Sequence, residues 1–156
     1  ADRVTFSLEK IDIVQVSRQV LASVNQARQT TNQFVFESDW ESLELRTDIQ
    51  RLQQVLINLL SNADKFTKQG IITLKLELDK KNRVAVFSVS DTGSGIPLEK
   101  QKLVFERFEK LNEYAQGTGL GLSICKLIVG KWGGKIWVDS AYTHGARFVF
   151  THPMDL

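Results

Sequence analysis

The chain has 156 residues, 42% of them hydrophobic and 24% charged, with a formal net charge of +2 at pH 7. That length suits one domain able to bury a core, and so small a net charge gives no electrostatic case for nucleic acid or a membrane surface. No stretch of the given sequence reads as a signal peptide and no apolar run approaches about 18 residues, so nothing in it reads as a bilayer span.

The chain starts at Ala1 and its single methionine is Met154, which suggests a piece of a longer protein. Residues 12–28, DIVQVSRQVLASVNQAR, have apolar spacing suited to a first helix with Asp12 as its cap. QFVFES and LELRT follow as short strands. Thr47 followed by Gln50 has the form of a capping box, opening a long helix to about Phe66. After Gly70, the segments IITLKLELD and VAVFSVS flank the turn KKNR and predict a hairpin. The alternation of Ile72, Leu74, Leu76 and Leu78 marks a half-buried strand. A glycine-rich turn at 91–97 leads to a short helix near 98–104 and then to a polar stretch. The helix LGLSICKLIVGKW stops at Gly133-Gly134, a natural C-cap. Cys125 lies within it as the single cysteine, which excludes an internal disulfide, fits a reducing compartment and reads as a buried thiol. KIWVDS and ARFVFT are the last strands. Helices alternating with strands, some in hairpins, predict a two-layer α/β sandwich with a mixed sheet.

Three stretches carry chemistry. In NLLSNADKFT, residues 58–67, a helical wheel places Asn58, Asn62 and Lys65 within about 60° of one another, along the border of the apolar face. Asn is a mediocre helix former, so a stripe of two with a lysine suggests ligands bordering a cleft. An amide oxygen from Asn62 with phosphates completing the shell suits Mg²⁺, and Lys65 would offset phosphate charge. A plain solvated face is the structural alternative. In DTGSGIP, residues 91–97, Gly93 and Gly95 allow a sharp turn and close approach. Asp91 is an acceptor suited to an exocyclic amine, and Ile96 can pack on a flat ring; an ordinary turn would also use these residues. In GTGLGLSICK, residues 117–126, a glycine-rich loop leads into a helix whose N-terminus can meet phosphates. It matches neither a P-loop nor a dinucleotide fingerprint.

In this order the stretches closely resemble the catalytic, ATP-binding domain of bacterial sensor histidine kinases. These lie within the GHKL superfamily of gyrase, chaperone, histidine kinase and mismatch-repair ATP-binding domains, whose Bergerat fold is a mixed sheet covered on one face by helices. NLLSNADKFT resembles the N box, DTGSGIP the G1 box, FERF (105–108) the F box and GTGLGL the G2 box. The resemblance implies ATP and Mg²⁺, with Asn62 on the metal and Asn58 and Lys65 along the triphosphate. It also implies Asp91 on the adenine amine and Gly93, Gly95 and Ile96 around the base. Gly117, Thr118, Gly119, Leu120 and Gly121 would lie at the phosphates, at one end of a lid with Phe105 and Phe108 as anchors. Arg107 and Lys110 are lid cations that either reach phosphate or face solvent.

ATP-hydrolysing members of the superfamily carry a glutamate where this chain has Asn58. An amide is no general base, so the resemblance implies a site that holds ATP for transfer to a separate acceptor. Many members also have Ser or Thr after the glycine of the last hairpin, where its hydroxyl supports the adenine-binding aspartate. Here that residue is Ala146, which puts one water-bridged contact in doubt. His144 and His152 lack the acceptor context and read as surface histidines. The acceptor would then lie on a dimerisation domain of the same kinase, joined through residues 1–10, with a response regulator receiver domain downstream and a cytoplasmic location. A GHKL serine kinase of the anti-sigma type and a non-catalytic, nucleotide-regulated interaction module remain alternatives.

Overall fold

The computed structural model describes residues 5–106 and 121–156. Strand β1 (Glu9–Asp12) runs directly into helix α1 (Ile13–Arg28), with Asp12 as the N-cap, accepting from the backbone N–H groups of Val14 and Gln15. Strands β2 (Gln33–Ser38) and β3 (Glu44–Thr47) follow, and β3 pairs antiparallel with β1 in a small separate sheet.

Helix α2 (Ile49–Lys65) is capped by Asp48, whose carboxylate accepts from Arg51 N at 3.2 Å and from Ser7 N at 2.8 Å. This corrects the capping box expected from Thr47 and Gln50. Thr47 is still in the strand and fully buried, and its hydroxyl is taken by His152 Nε2 at 2.8 Å. A carboxylate one residue later makes the charge-assisted cap.

Strands β4 (Ile71–Asp79) and β5 (Val84–Asp91) form the expected hairpin. Two short 3₁₀ turns, Leu98–Lys100 and Leu103–Phe105, stand where a single short helix was expected. Helix α3 (Gly121–Lys131) ends at Gly133, whose φ of +87° favours glycine. Gly134 N donates back to Val129 O and Gly133 N to Gly130 O, which closes the helix in a Schellman pattern. Strands β6 (Ile136–Val138) and β7 (Arg147–Pro153) complete a sheet of order β2-β4-β5-β7-β6. The β2–β4 pair is parallel and the other pairs are antiparallel.

The core lies between this sheet and the helices. Period-2 alternation turns Ile72, Leu74 and Leu76 of β4, Phe87 and Val89 of β5, and Phe148 and Phe150 of β7 inward. They meet Leu52, Leu56, Leu59 and Leu60 of α2 and Ile128 and Val129 of α3. Phe87 and Phe150 are register partners whose rings stack at 4.6 Å. The opposite face of the sheet presents polar residues such as Thr73, Lys75, Ser88 and Arg147.

The same alternation corrects one expectation. His152 is fully buried, because its place in β7 puts it on the face of Phe148 and Phe150, against the Trp132 ring at 4.5 Å. Its Nδ1 lies 2.8 Å from Pro153 O, a group that only accepts, so Nδ1 carries the proton and Nε2 accepts from Thr47. Burial lowers its pKa, consistent with a neutral ring. His144 is exposed as expected. Among the described residues no helix is long and apolar enough to cross a membrane.

Candidate functional site

Helix α2 carries the polar stripe along the margin of its leucine face, as the helical wheel predicts. Asn58 is half-buried and its Nδ2 donates to Gly121 O at 3.2 Å, tying mid-α2 to the first residue of α3. Asn62, one turn on, is also half-buried, and its Nδ2 is enclosed with no hydrogen-bond partner among the described residues. Lys65 is exposed at the end of the helix, its Nζ 5.9 Å from the centre of the Phe66 ring.

Asp91 ends β5 and is 1% exposed. Its Oδ1 accepts from Gly93 N at 2.9 Å and from Ala146 N at 3.1 Å. Its Oδ2 is buried without a partner among the described residues. Burial raises the carboxyl's pKa, against the two backbone N–H bonds that favour the charged form. A buried carboxylate oxygen left unpaired costs free energy, and such groups concentrate where a ligand completes them.

The backbone around Asp91 is drawn in closely. A Cβ on Gly93 would sit 2.1 Å from Phe66 O, so only glycine lets the G1 turn rest against the end of α2. Gly145, at φ +142°, lies so close that a Cβ there would be 2.0 Å from Asp91 O. Tyr142 Oη donates to the same carbonyl at 2.9 Å. Gly145→Ala is therefore expected to lower stability by about 2 kcal/mol or more and to weaken ligand binding at Asp91, read as a drop in both melting temperature and affinity. Ile96 is half-buried against the core, and Gly95 takes a φ of +76°.

Ala146 lacks the hydroxyl, and it is its backbone N–H that donates to Asp91 Oδ1. Thr67 is a residue that the motif contained but to which no role was given. It is 4% exposed, and its Oγ1 has no partner among the described residues. Nor did sequence pattern reveal Asn32, whose Nδ2 donates to Asp64 Oδ1 at 2.8 Å and Thr67 O at 2.7 Å while its Oδ1 accepts from Gly70 N at 2.8 Å. Asp64 is also ion-paired to Arg28. No local signal marks this network, because its members are separated by more than thirty residues of chain.

Gly121 opens α3 as expected, while Gly117, Thr118, Gly119 and Leu120 lie outside the described residues, as do Arg107, Phe108 and Lys110. Phe105 packs edge-on against Phe148 at 5.9 Å. Cys125 is fully buried, and burial pushes its thiol up to about 12, so it is not a nucleophile. No cluster of three or more His, Cys, Asp or Glu able to hold a metal occurs among the described residues. A hard cation would instead take an amide oxygen and the oxygens of its own ligand, and the donor set of α2 fits that arrangement.

Residues 47–156 match the family described as histidine kinase-, DNA gyrase B-, and HSP90-like ATPase. The adaptive-response sensory kinase SasA of Microcystis aeruginosa is 42% identical over 77% of this chain. The aligned region is 32% of that relative, so the chain spans about a third of its length. The catalytic domain of the histidine kinase ThkA superposes with a TM-score of 0.85 at 32% identity, over 97% of this chain and 100% of that one. ThkA in complex with the response regulator protein TrrA aligns with a TM-score of 0.79 at 32% identity, over 94% of this chain and 42% of that one. Full-length ShkA in complex with AMPPNP aligns with a TM-score of 0.87 at 29% identity, over 97% of this chain and 32% of that one.

Proposed function

This chain belongs to the histidine kinase-, DNA gyrase B-, and HSP90-like ATPase family, and on that premise we propose that it binds Mg-ATP and donates the γ-phosphate to a histidine on a separate domain of the same kinase. The observation that carries the reading is Asp91, a 1% exposed carboxylate with Oδ1 fixed by two backbone N–H groups and Oδ2 unpaired among the described residues. An exocyclic amine is the donor that completes it.

The other residues follow from charge and reach. Asn62 offers its carboxamide oxygen to Mg²⁺, which would draw charge from the phosphate oxygens. Lys65 supplies a point cation, and the N-terminus of α3 at Gly121 offers backbone N–H groups to the phosphates. Asn58 is an amide already hydrogen-bonded to Gly121 O. It cannot take a proton from water, so the site positions ATP without promoting hydrolysis. The acceptor histidine belongs to a dimerisation domain, and a response regulator receives the phosphoryl group next. That exchange is cytoplasmic in this reading.

The reading is tested by calorimetric titration with a non-hydrolysable ATP analogue, with and without Mg²⁺, then by adding the dimerisation domain in trans with γ-labelled ATP. Binding that tightens with Mg²⁺ and label on the partner's histidine are expected. Bound nucleotide with no labelled histidine, or Asn58-dependent ATP hydrolysis by the isolated chain, would overturn the transfer mechanism. Failure to bind at all would leave a nucleotide-independent interaction module.

A further inference from the structure

Thr67 closes the N-box stretch and has no part in the chemistry above. Its backbone is fully occupied: the carbonyl accepts from Asn32 Nδ2 at 2.7 Å and the N–H donates to Asp64 O at 3.4 Å. Its side chain is wedged between two glycines, with Cγ2 3.0 Å from where a Cβ of Gly70 would begin and Oγ1 2.8 Å from that of Gly93. A threonine held this way has little rotamer freedom left. The hydroxyl nonetheless has no partner among the described residues and is closed off from solvent. Burying an unpaired hydroxyl costs about 1–3 kcal/mol, a cost that valine, of nearly the same shape, would avoid.

The position of the orphan gives it a use. Gly93 adjoins both Thr67, whose Oγ1 lies 2.8 Å from where its Cβ would begin, and Asp91, to whose Oδ1 its own N–H donates at 2.9 Å. Asp91 Oδ2 is itself without a partner among the described residues. The site thus holds an acceptor-only carboxylate oxygen and a hydroxyl able to donate, on two residues that both adjoin Gly93. Adenine presents the matching pair on one edge, a donating N6 amine beside an accepting N1. Ala146 has no hydroxyl to offer; its backbone N–H donates to Asp91 Oδ1 and its carbonyl accepts from Asp91 N.

Resting on the ATP-binding reading, we propose that Thr67 is a base-specificity residue whose hydroxyl donates to N1 of adenine next to the Asp91 contact with N6. Guanine reverses both groups, with a carbonyl at position 6 and a hydrogen on N1. It would meet Asp91 with an acceptor and Thr67 with a donor. Asn32 acts as a positioning residue in this arrangement, because it fixes the backbone of Thr67 from the α1–β2 loop.

The test is calorimetric titration of wild type, Thr67→Val, Thr67→Ser and Asp91→Asn with ATP and with 1-deaza-ATP, in which N1 is replaced by C–H. Wild type and Thr67→Ser are expected to bind ATP about tenfold more tightly than 1-deaza-ATP. Thr67→Val should bind the two alike, at the weaker level, with a melting temperature equal to or above wild type. A merely structural threonine would weaken both ligands together and leave their ratio unchanged, which overturns the proposal. A Thr67→Val variant that keeps the full tenfold preference overturns it as well. If wild type binds no ATP, or Asp91→Asn binds it undiminished, the ATP reading itself fails, an outcome distinct from loss of the Thr67 contact alone.

Discussion

Asp91→Asn is expected to weaken ATP binding by about a hundredfold or more while leaving the ligand-free fold as stable as wild type or more so. The asparagine oxygen can still accept from Gly93 N and Ala146 N, at the position Oδ1 now holds. The other end of the side chain changes from acceptor to donor, and so faces the adenine amine with like polarity. That loses a charge-assisted hydrogen bond and leaves two donors opposed, together about 3 kcal/mol. Folding gains in the same exchange, because a neutral amide replaces a buried carboxylate whose Oδ2 has no partner among the described residues. Burial raises the pKa of Asp91 above its ordinary 3.8. Its contribution to stability is therefore full below 3.8 and is lost as pH rises through the raised folded value. The melting temperature of Asp91→Asn relative to wild type should accordingly climb with pH across that window and then level off. Parallel losses of stability and affinity at all pH values would mean that Asp91 serves the fold, not the ligand.

Asp64→Ala is expected to act in the opposite sense, costing about 2–3 kcal/mol of stability at neutral pH. Removing the carboxylate takes one acceptor from the buried Asn32 Nδ2, which keeps Thr67 O, and leaves Arg28 without its partner. The estimate stays near the low end for a broken pair because the Arg28 side chain is 36% exposed and partly solvated. Burial alone would raise the pKa of Asp64, but hydrogen bonds from Arg28 and Asn32 outweigh it and hold the carboxyl below its usual 3.8. The stabilisation is present above 3.8 and is lost as pH falls through the depressed folded value. Urea unfolding should therefore show a large gap between wild type and Asp64→Ala at pH 7 that narrows in acid. A gap of the same size at both would show that the network acts through shape alone. The Thr67 loop hangs from this network through Asn32, so nucleotide affinity should fall modestly with it.

These two aspartates show how unevenly sequence and structure share the account. Asp91 was legible as a candidate ligand-binding residue because its glycine-rich turn has a local form, and local geometry follows local sequence. Asp64 lies inside the N box, yet nothing in its neighbourhood distinguishes it from a solvated helical carboxylate. Its partners come from α1 and the loop beyond it, 36 and 32 residues away. The cap of α2 was misplaced by one residue for a related reason. Thr47 fits a capping box locally, but His152, 105 residues later, takes its hydroxyl. His152 in turn was read as a surface group because its polarity was weighed above its register. In β7 the period of 2 places it among Phe148 and Phe150, and Thr47 satisfies the ring nitrogen that burial would otherwise leave unpaired.

The sequence by itself determined the order of the long helices and of the strands after α1, the α2 stripe of Asn58, Asn62 and Lys65, and the family resemblance carried by its motifs. Each of these depends on residues within a few turns of one another, where spacing alone fixes which side chains share a face. Only the tertiary structure decided which polar atoms are satisfied. Asp91 Oδ2, Thr67 Oγ1 and Asn62 Nδ2 lack partners among the described residues, while Asp64 and His152 have theirs. Satisfaction of a buried group depends on what distant segments bring within about 3 Å of it, and that distance exists only once the chain has folded.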